Sequence, residues 1–231
     1  MINTEAYKNL IEECTTKNVT LVAVSKTKPV TDILELYDVG HRDFGENYVQ
    51  ELIEKEKQLP KDIRWHFIGH LQTNKVKQVI GLVHLIHGVD SLKLLKEINK
   101  QSEKINKITQ CLLQVHIAQE ETKFGLDENE LKEIIDQITT QPFINASITG
   151  LMGMASFTGN KDQVRNEFKY LKSLQTKCNN QTLSFKLETL SMGMTADYKI
   201  AVEEGSNLIR VGSLIFGERN YQVNDSDQLG M

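Results

Sequence analysis

At 231 residues, with 39% apolar and 25% charged side chains, the chain has a globular composition and enough length to bury a sizeable core. A net charge of −4 supplies no basic field for nucleic acid. No apolar run approaches the ~18 residues of a membrane span, and Met1 to Glu5 carry neither a basic nor an apolar leader pattern, so a cytoplasmic protein with no membrane partner is expected.

Short β-branched or apolar runs recur along the chain. Val19 to Val24 is the first, continued by Ser25-Lys26-Thr27-Lys28 and stopped by Pro29, with Thr31 as a candidate N-cap beyond it. Arg42 to Phe44 follows, then a helical period at Val49, Leu52 and Ile53 in a helix that begins near Glu46 and closes before Pro60. Trp65 to Ile68 and Val83 to Val89 come next. Ser91 then caps a helix marked by Leu92, Leu95 and Ile98. Cys111 to Ile117 precedes Leu131, Ile134, Ile135 and Ile138, which open on a capping-box pattern at Asp127 and Glu130. Ile148 to Met152, a helix through Val164, Phe168, Leu171 and Leu174, and the runs Phe185 to Leu190 and Leu208 to Leu214 complete the series.

About eight strands alternating with helices imply parallel pairing through right-handed crossovers. The position of a dinucleotide fingerprint after the first strand reads Ser25-Lys26-Thr27-Lys28-Pro29, without the glycines, so a closed (β/α)8 barrel of the TIM type is favoured over an open doubly wound sheet. With no linker-like stretch, residues 1–231 read as a single α/β barrel domain. Cys14, Cys111 and Cys178 are odd in number and lack C-x-x-C spacing, so each is expected as a small buried hydrophobe.

In such a barrel, functional groups gather at the C-terminal strand ends. Lys26 falls there on the first strand, on the side of Val22 and Val24, where partial desolvation favours the neutral amine that attacks an aldehyde. Loops after strands 7 and 8 often bind phosphate. Ser191, Thr195 and Ser213 offer hydroxyls there, and Gly193 and Gly212 allow close backbone approach, though both glycines could serve only tight turns. An aldehyde with a phosphate tail satisfies both ends, and pyridoxal phosphate is such a molecule, with Arg210 then facing its pyridine nitrogen. The alternative for Arg210 is a buried ion pair. His66 and His70 have i, i+4 spacing but no H-E-x-x-H glutamate, so no metal is expected; His84 and His87 read as satisfied core or rim histidines, and Glu51 to Lys57 as a solvated helix face.

Ala23-Val24-Ser25-Lys26-Thr27-Lys28-Pro29, Phe44-Gly45-Glu46-Asn47-Tyr48-Val49-Gln50-Glu51, His66-Phe67-Ile68-Gly69-His70-Leu71-Gln72-Thr73-Asn74-Lys75, Ser191-Met192-Gly193-Met194 and Arg210-Val211-Gly212-Ser213 together resemble the pyridoxal phosphate homeostasis protein family, which is related in fold to the barrel domain of bacterial alanine racemase. The resemblance runs nearly end to end. It implies that Lys26 is the Schiff-base residue, with Lys28 a neighbour able to take its place transiently. It implies that Ser191, Gly212 and Ser213 take the phosphate, that Arg210 takes the pyridine nitrogen, and that Asn47 and Met154 lie near the ring. Ser213 stands where relatives often have threonine and Thr195 where they often have serine, changes that keep the hydroxyl.

A permanently charged arginine at the ring nitrogen only donates, which leaves the ring a weak electron sink. The related racemases draw a catalytic tyrosine from a second domain, and only residues 217–231 follow the eighth strand here. The expectation is therefore a monomeric carrier that holds pyridoxal 5'-phosphate on Lys26 and buffers it or passes it to apo-enzymes, with no catalytic residue. A small pyridoxal phosphate-dependent amino-acid racemase is the alternative, and an aldolase-type barrel using Lys26 is a third reading.

Overall fold

Successive side chains of a strand point to opposite faces, so a sheet closed on itself sorts every second residue inward. The computed structural model, which describes residues 2–180 and 185–217, is such a sheet. Its parallel strands follow chain order around a closed barrel: β1 (Thr20–Val24), β2 (Asp43–Glu46), β3 (Arg64–Phe67), β4 (Val83–Val89), β5 (Thr109–Val115), β6 (Ala146–Gly153), β7 (Thr189–Ser191) and β8 (Leu208–Val211). Closure is made by β1 on β8, where Val22 stands opposite Arg210. Helices α1 (Thr4–Thr16), α2 (Val30–Asp38), α3 (Val49–Gln58), α4 (Val76–Val79), α5 (Leu92–Glu103), α6 (Glu128–Thr140), α7 (Lys161–Asn179), α8 (Tyr198–Glu203) and α9 (Ser213–Phe216) alternate with the strands.

The outward residues, among them Leu21, Ala23, Phe44, Trp65, Phe67 and Ile86, are buried against the helices in the main apolar core. The inward residues Val22, Leu85, Leu112, Met152 and Leu208 fill the interior, with Met154 packed against them. Cys14, Cys111 and Cys178 are all buried. Among the described residues no helix is long and apolar enough to cross a membrane.

Most local expectations hold. Ser91 caps α5 by accepting from Leu94 N–H, and Asp127 with Glu130 forms a reciprocal capping box on α6. Others are corrected. The N-cap of α2 is Pro29, not Thr31, and α3 starts at Val49 rather than Glu46, which belongs to β2. Helix α1, capped by Asn3, has no counterpart among the expected segments. The seventh strand is only Thr189–Ser191. Ahead of it the Leu187 peptide is drawn away by amide side chains, its N–H donating to Asn179 Oδ1 and its carbonyl accepting from Gln175 and Asn179. Strand β8 ends at Val211, because Gly212 turns the chain into α9.

His41 joins α1 to the base of the barrel. Its Nε2–H donates to the Asp43 carbonyl at 2.8 Å, and Nδ1 lies 3.4 Å from the Tyr7 hydroxyl. Burial pushes this ring down to about 4 from 6.5, and pushes His87 well below its ordinary value too. Both rings fold neutral and must bind a proton when unfolded in acid. For His41 the stabilisation is complete above pH 6.5 and is lost as pH falls toward 4, on the order of 3 kcal/mol, and His87 acts in the same direction. Glu46, pushed up to about 6 by burial, opposes this between pH 6 and 4.5. Urea unfolding is therefore expected to show a net loss of stability from pH 6.5 to 4, with a shallower slope in His41→Phe. An unchanged slope would exclude His41 as a source of the acid lability.

Candidate functional site

At the C-terminal ends of the strands lies a cavity of about 860 Å3. Lys26, Lys28, Asn47, Met154, Arg210, Gly212 and Ser213 all line it. Because Val22 faces Arg210 across the β1–β8 pair, the next residues on that side of the chain, Val24 and Lys26, rise from Arg210 toward the mouth. Lys26 is half-buried there. The Lys28 ammonium donates to the Phe216 and Gly217 carbonyls at 2.8 and 3.1 Å, which ties the Lys26 segment to the end of α9.

The turn that carries Lys26 is strained and then clamped. Lys28 N–H donates to the Ser25 carbonyl at 3.0 Å, and Thr27 takes φ 63°, a left-handed conformation unfavourable for a β-branched residue. Thr27 N–H donates to Glu51 Oε1 at 2.6 Å. Lys55 Nζ donates to that same oxygen at 2.6 Å, to the Ser25 carbonyl at 2.7 Å and to Glu46 Oε1 at 2.8 Å, and Ser25 Oγ donates to Glu46 Oε1 at 2.5 Å. The residues on both sides of Lys26 are thus held by one buried charge cluster. Lys55 is 5% exposed and Glu46 is fully buried, which corrects the expectation that Glu51 to Lys57 is simply a solvated helix face. Burial pushes Glu46 up to about 6, with Lys55 opposing the shift.

Arg210 is 3% exposed. Its Nη1 donates to Ser191 Oγ at 2.5 Å and its Nη2 to the Gly153 carbonyl at 3.2 Å. Among the described residues no carboxylate lies within ion-pair distance of it, so the buried ion-pair alternative fails. Burial pushes it down to about 10, which still leaves a cation at neutral pH.

Ser191 is the exception among the expected residues. It is fully buried and does not line the cavity. Its side chain points inward at the level of Met152 and Leu208, where it accepts from Arg210 and meets His87 Nδ1 at 3.0 Å. The structure therefore places Ser191 beneath Arg210, outside the lining of the cavity. Thr195 lines the cavity instead. Between the two, Gly193 turns at φ 96°, and a Cβ there would come 2.6 Å from Ala201 Cβ, so this glycine serves a tight turn. Asp197 Oδ1 then accepts from Met194 N–H and closes the loop. At Gly212 a Cβ would sit 3.1 Å from the Val24 carbonyl, so glycine lets the ends of β8 and β1 approach. Lys123 also lines the cavity, bonded to Glu120 and the Ala155 carbonyl. No period or motif singled it out, because the loop after β5 brings it in.

The donor set suits pyridoxal phosphate: an amine, hydroxyls at Thr195 and Ser213, and a buried guanidinium whose protein acceptors are all uncharged. Comparison with known proteins agrees. Residues 3–220 match the family described as alanine racemase, N-terminal domain. A pyridoxal phosphate homeostasis protein of Aquifex aeolicus is 41% identical over 202 residues, 87% of each chain. The structure of PipY from Synechococcus elongatus without pyridoxal phosphate superposes with a TM-score of 0.87 at 32% identity, covering 92% of this chain and 99% of PipY. The same protein with pyridoxal phosphate bound superposes with a TM-score of 0.80 at 33% identity, covering 87% and 93%.

Replacing Lys55 by methionine removes the cation facing a fully buried carboxylate, a class of change that costs about 3–5 kcal/mol. In this variant Glu46 escapes the penalty by binding a proton in acid. The loss of stability is therefore expected to be larger at pH 8 than at pH 5 in urea unfolding. An equal loss at both pH values would show that the cluster does not depend on the Glu46 charge.

Proposed function

The chain belongs to the pyridoxal phosphate homeostasis protein family, within the alanine racemase N-terminal domain family, and from that premise we propose that it binds pyridoxal 5'-phosphate in this cavity, holds it covalently on Lys26, and buffers it or delivers it to apo-enzymes. The observation that carries this reading is that the cavity joins the Lys26 amine to a buried arginine whose hydrogen-bond acceptors, among the described residues, are the uncharged Ser191 hydroxyl and Gly153 carbonyl. When bound, the cofactor supplies an aldehyde that condenses with amines. The chain's own residues do the rest. Lys26 presents its amine from a turn fixed on both sides. Ser213, Thr195 and the Gly212 backbone receive the phosphate, and Asn47 and Met154 flank the ring. Arg210 donates a hydrogen bond to the ring nitrogen, and because a guanidinium does not accept, that nitrogen stays without a proton.

The same donor favours holding over turnover. Carbanion chemistry draws on a protonated ring, and two-base inversion needs a second base across from the lysine. Among the described residues no tyrosine or histidine lines the cavity. The segment beyond Gly217, expected to be too short for a further domain, lies outside the described residues.

Borohydride reduction of the loaded protein followed by peptide mapping is expected to label Lys26, and Lys26→Ala is expected to abolish that label and the absorption band of the bound cofactor. Label found mainly outside residues 26 to 28 would overturn the assignment. Arg210→Met removes a side chain bonded only to a hydroxyl and a carbonyl, so thermal unfolding without cofactor should change by only about 1–3 kcal/mol, while the band shifts and cofactor retention falls. Inversion of D- or L-alanine at ordinary enzyme rates, about 1–1000 per second, is not expected. Such an activity, lost in Lys26→Ala, would establish the racemase reading instead.

A further inference from the structure

The barrel interior carries a polar chain beneath Arg210. The register pairs Gly45 with His66, His66 with Leu85, and Met152 with Ser191, which sets Asp43, His66, His87 and Ser191 on the inward face with Arg210. Their side chains connect without a gap. Arg210 Nη1 is 2.5 Å from Ser191 Oγ, Ser191 Oγ is 3.0 Å from His87 Nδ1, His87 Nε2 is 2.9 Å from His66 Nδ1, and His66 Nε2 is 3.1 Å from Asp43 Oδ1. Asp43 is anchored by Arg64, whose Nε and Nη2 donate to its two oxygens at 2.7 and 2.5 Å. The chain therefore runs from the opening residues of β2 and β3 to the cavity at the opposite end.

With one proton on each ring, its two ends set the direction of every hydrogen bond between them. A guanidinium only donates and a carboxylate only accepts. Burial works against the Asp43 charge, but hydrogen bonds from His66 and Arg64 outweigh it and hold the carboxyl well below the usual carboxylate range. Ser191 accepts from Arg210, so its own proton goes to His87 Nδ1. His87 is then protonated on Nε2 and donates to His66 Nδ1, and His66 donates from Nε2 to Asp43. Burial holds His87 well below its ordinary value, and in this arrangement the two rings share one tautomer. A reversed chain with one proton on each ring would set an unprotonated His66 Nε2 against the Asp43 carboxylate.

We propose that His87, backed by His66 and Asp43, is a positioning residue: by accepting the Ser191 proton it makes that hydroxyl an acceptor for Arg210, and so fixes the guanidinium as the donor at the ring-nitrogen end of the cavity. The inference rests on the reading that this cavity holds pyridoxal phosphate with its ring nitrogen at Arg210.

Nitrogen-15 spectra of histidine-labelled full-length protein at pH 7 test the polarity of the chain. His66 and His87 are expected as neutral rings protonated on Nε2, and a ring protonated on Nδ1, or on both nitrogens, would overturn the proposal. Loading with pyridoxal phosphate tests the consequence. His87→Leu is expected to keep the Lys26 label, shift the absorption band and lose cofactor about tenfold faster on dialysis, the scale of one buried hydrogen bond. His87→Gln keeps an acceptor and a donor and is expected to restore the band. A loaded His87→Leu protein with unchanged band and retention would overturn the positioning role, whatever its thermal stability. Wild-type protein that takes up no pyridoxal phosphate would instead overturn the functional reading. If His87→Leu does not fold, Asp43→Asn serves: its amide can also donate, so the tautomers should redistribute and the band shift, and spectra identical to wild type would overturn the proposal.

Discussion

A buried guanidinium hydrogen-bonded, among the described residues, only to uncharged acceptors is the constraint around which the mouth of this barrel is arranged. Removing a charge from water is costly unless its hydrogen bonds are replaced, and here the replacements are uncharged, a serine hydroxyl and a main-chain carbonyl. An aspartate in their place would have neutralised Arg210 and closed its fork. Neutral acceptors hold the side chain and leave its charge for a ligand. The cost is carried into the barrel interior, where one layer is apolar (Val22, Leu85, Leu112, Met152, Leu208) and the polar side chains of Asp43, His66, His87 and Ser191 thread past it, each with a partner.

The lysine at the facing strand end is governed by a different device. Lys26 sits on a turn whose next residue, Thr27, is in a conformation that a β-branched side chain avoids, so the turn persists only because neighbouring groups hold it. Glu51 and Lys55 from α3 do so by bonding the Thr27 N–H and the Ser25 carbonyl, and Glu46 from β2 by accepting from the Ser25 hydroxyl. One charged cluster therefore fixes the first β–α connection, and the amine is presented by backbone geometry rather than by a flexible tether.

Together these features support the proposed holding of an aldehyde cofactor without strong activation. A permanent donor opposite an amine gives recognition at two ends of a planar ring, whereas turnover calls for a proton on that ring and a base on each side of the substrate carbon. Fold does not decide between these outcomes, since the barrel of the alanine racemase N-terminal domain is common to both. The proposed distinction rests on the residues at the strand ends.

Much of this was legible in the chain itself. Strand-length β-branched runs alternating with helical periods led to a closed barrel, because period and connection length restrict the parallel alternatives. The cap at Ser91 and the box at Asp127 and Glu130 are local chemistry and formed as read. Lys26, Arg210 and Gly212 were marked by their place at strand ends. What the sequence could not supply was registry. Ser191 and Thr195 both carry hydroxyls after strand 7, and only the turn at Gly193 decides that one supports Arg210 from below while the other faces the cavity. Lys55 looked like a surface lysine on a charged helix, and only the packing of α3 against β1 and β2 brings it to Glu46. His66 and His87 are far apart in the chain, and closure of the sheet makes them neighbours. Local periodicity fixes which elements form; long-range packing decides which side chains meet, and that information belongs to no single segment.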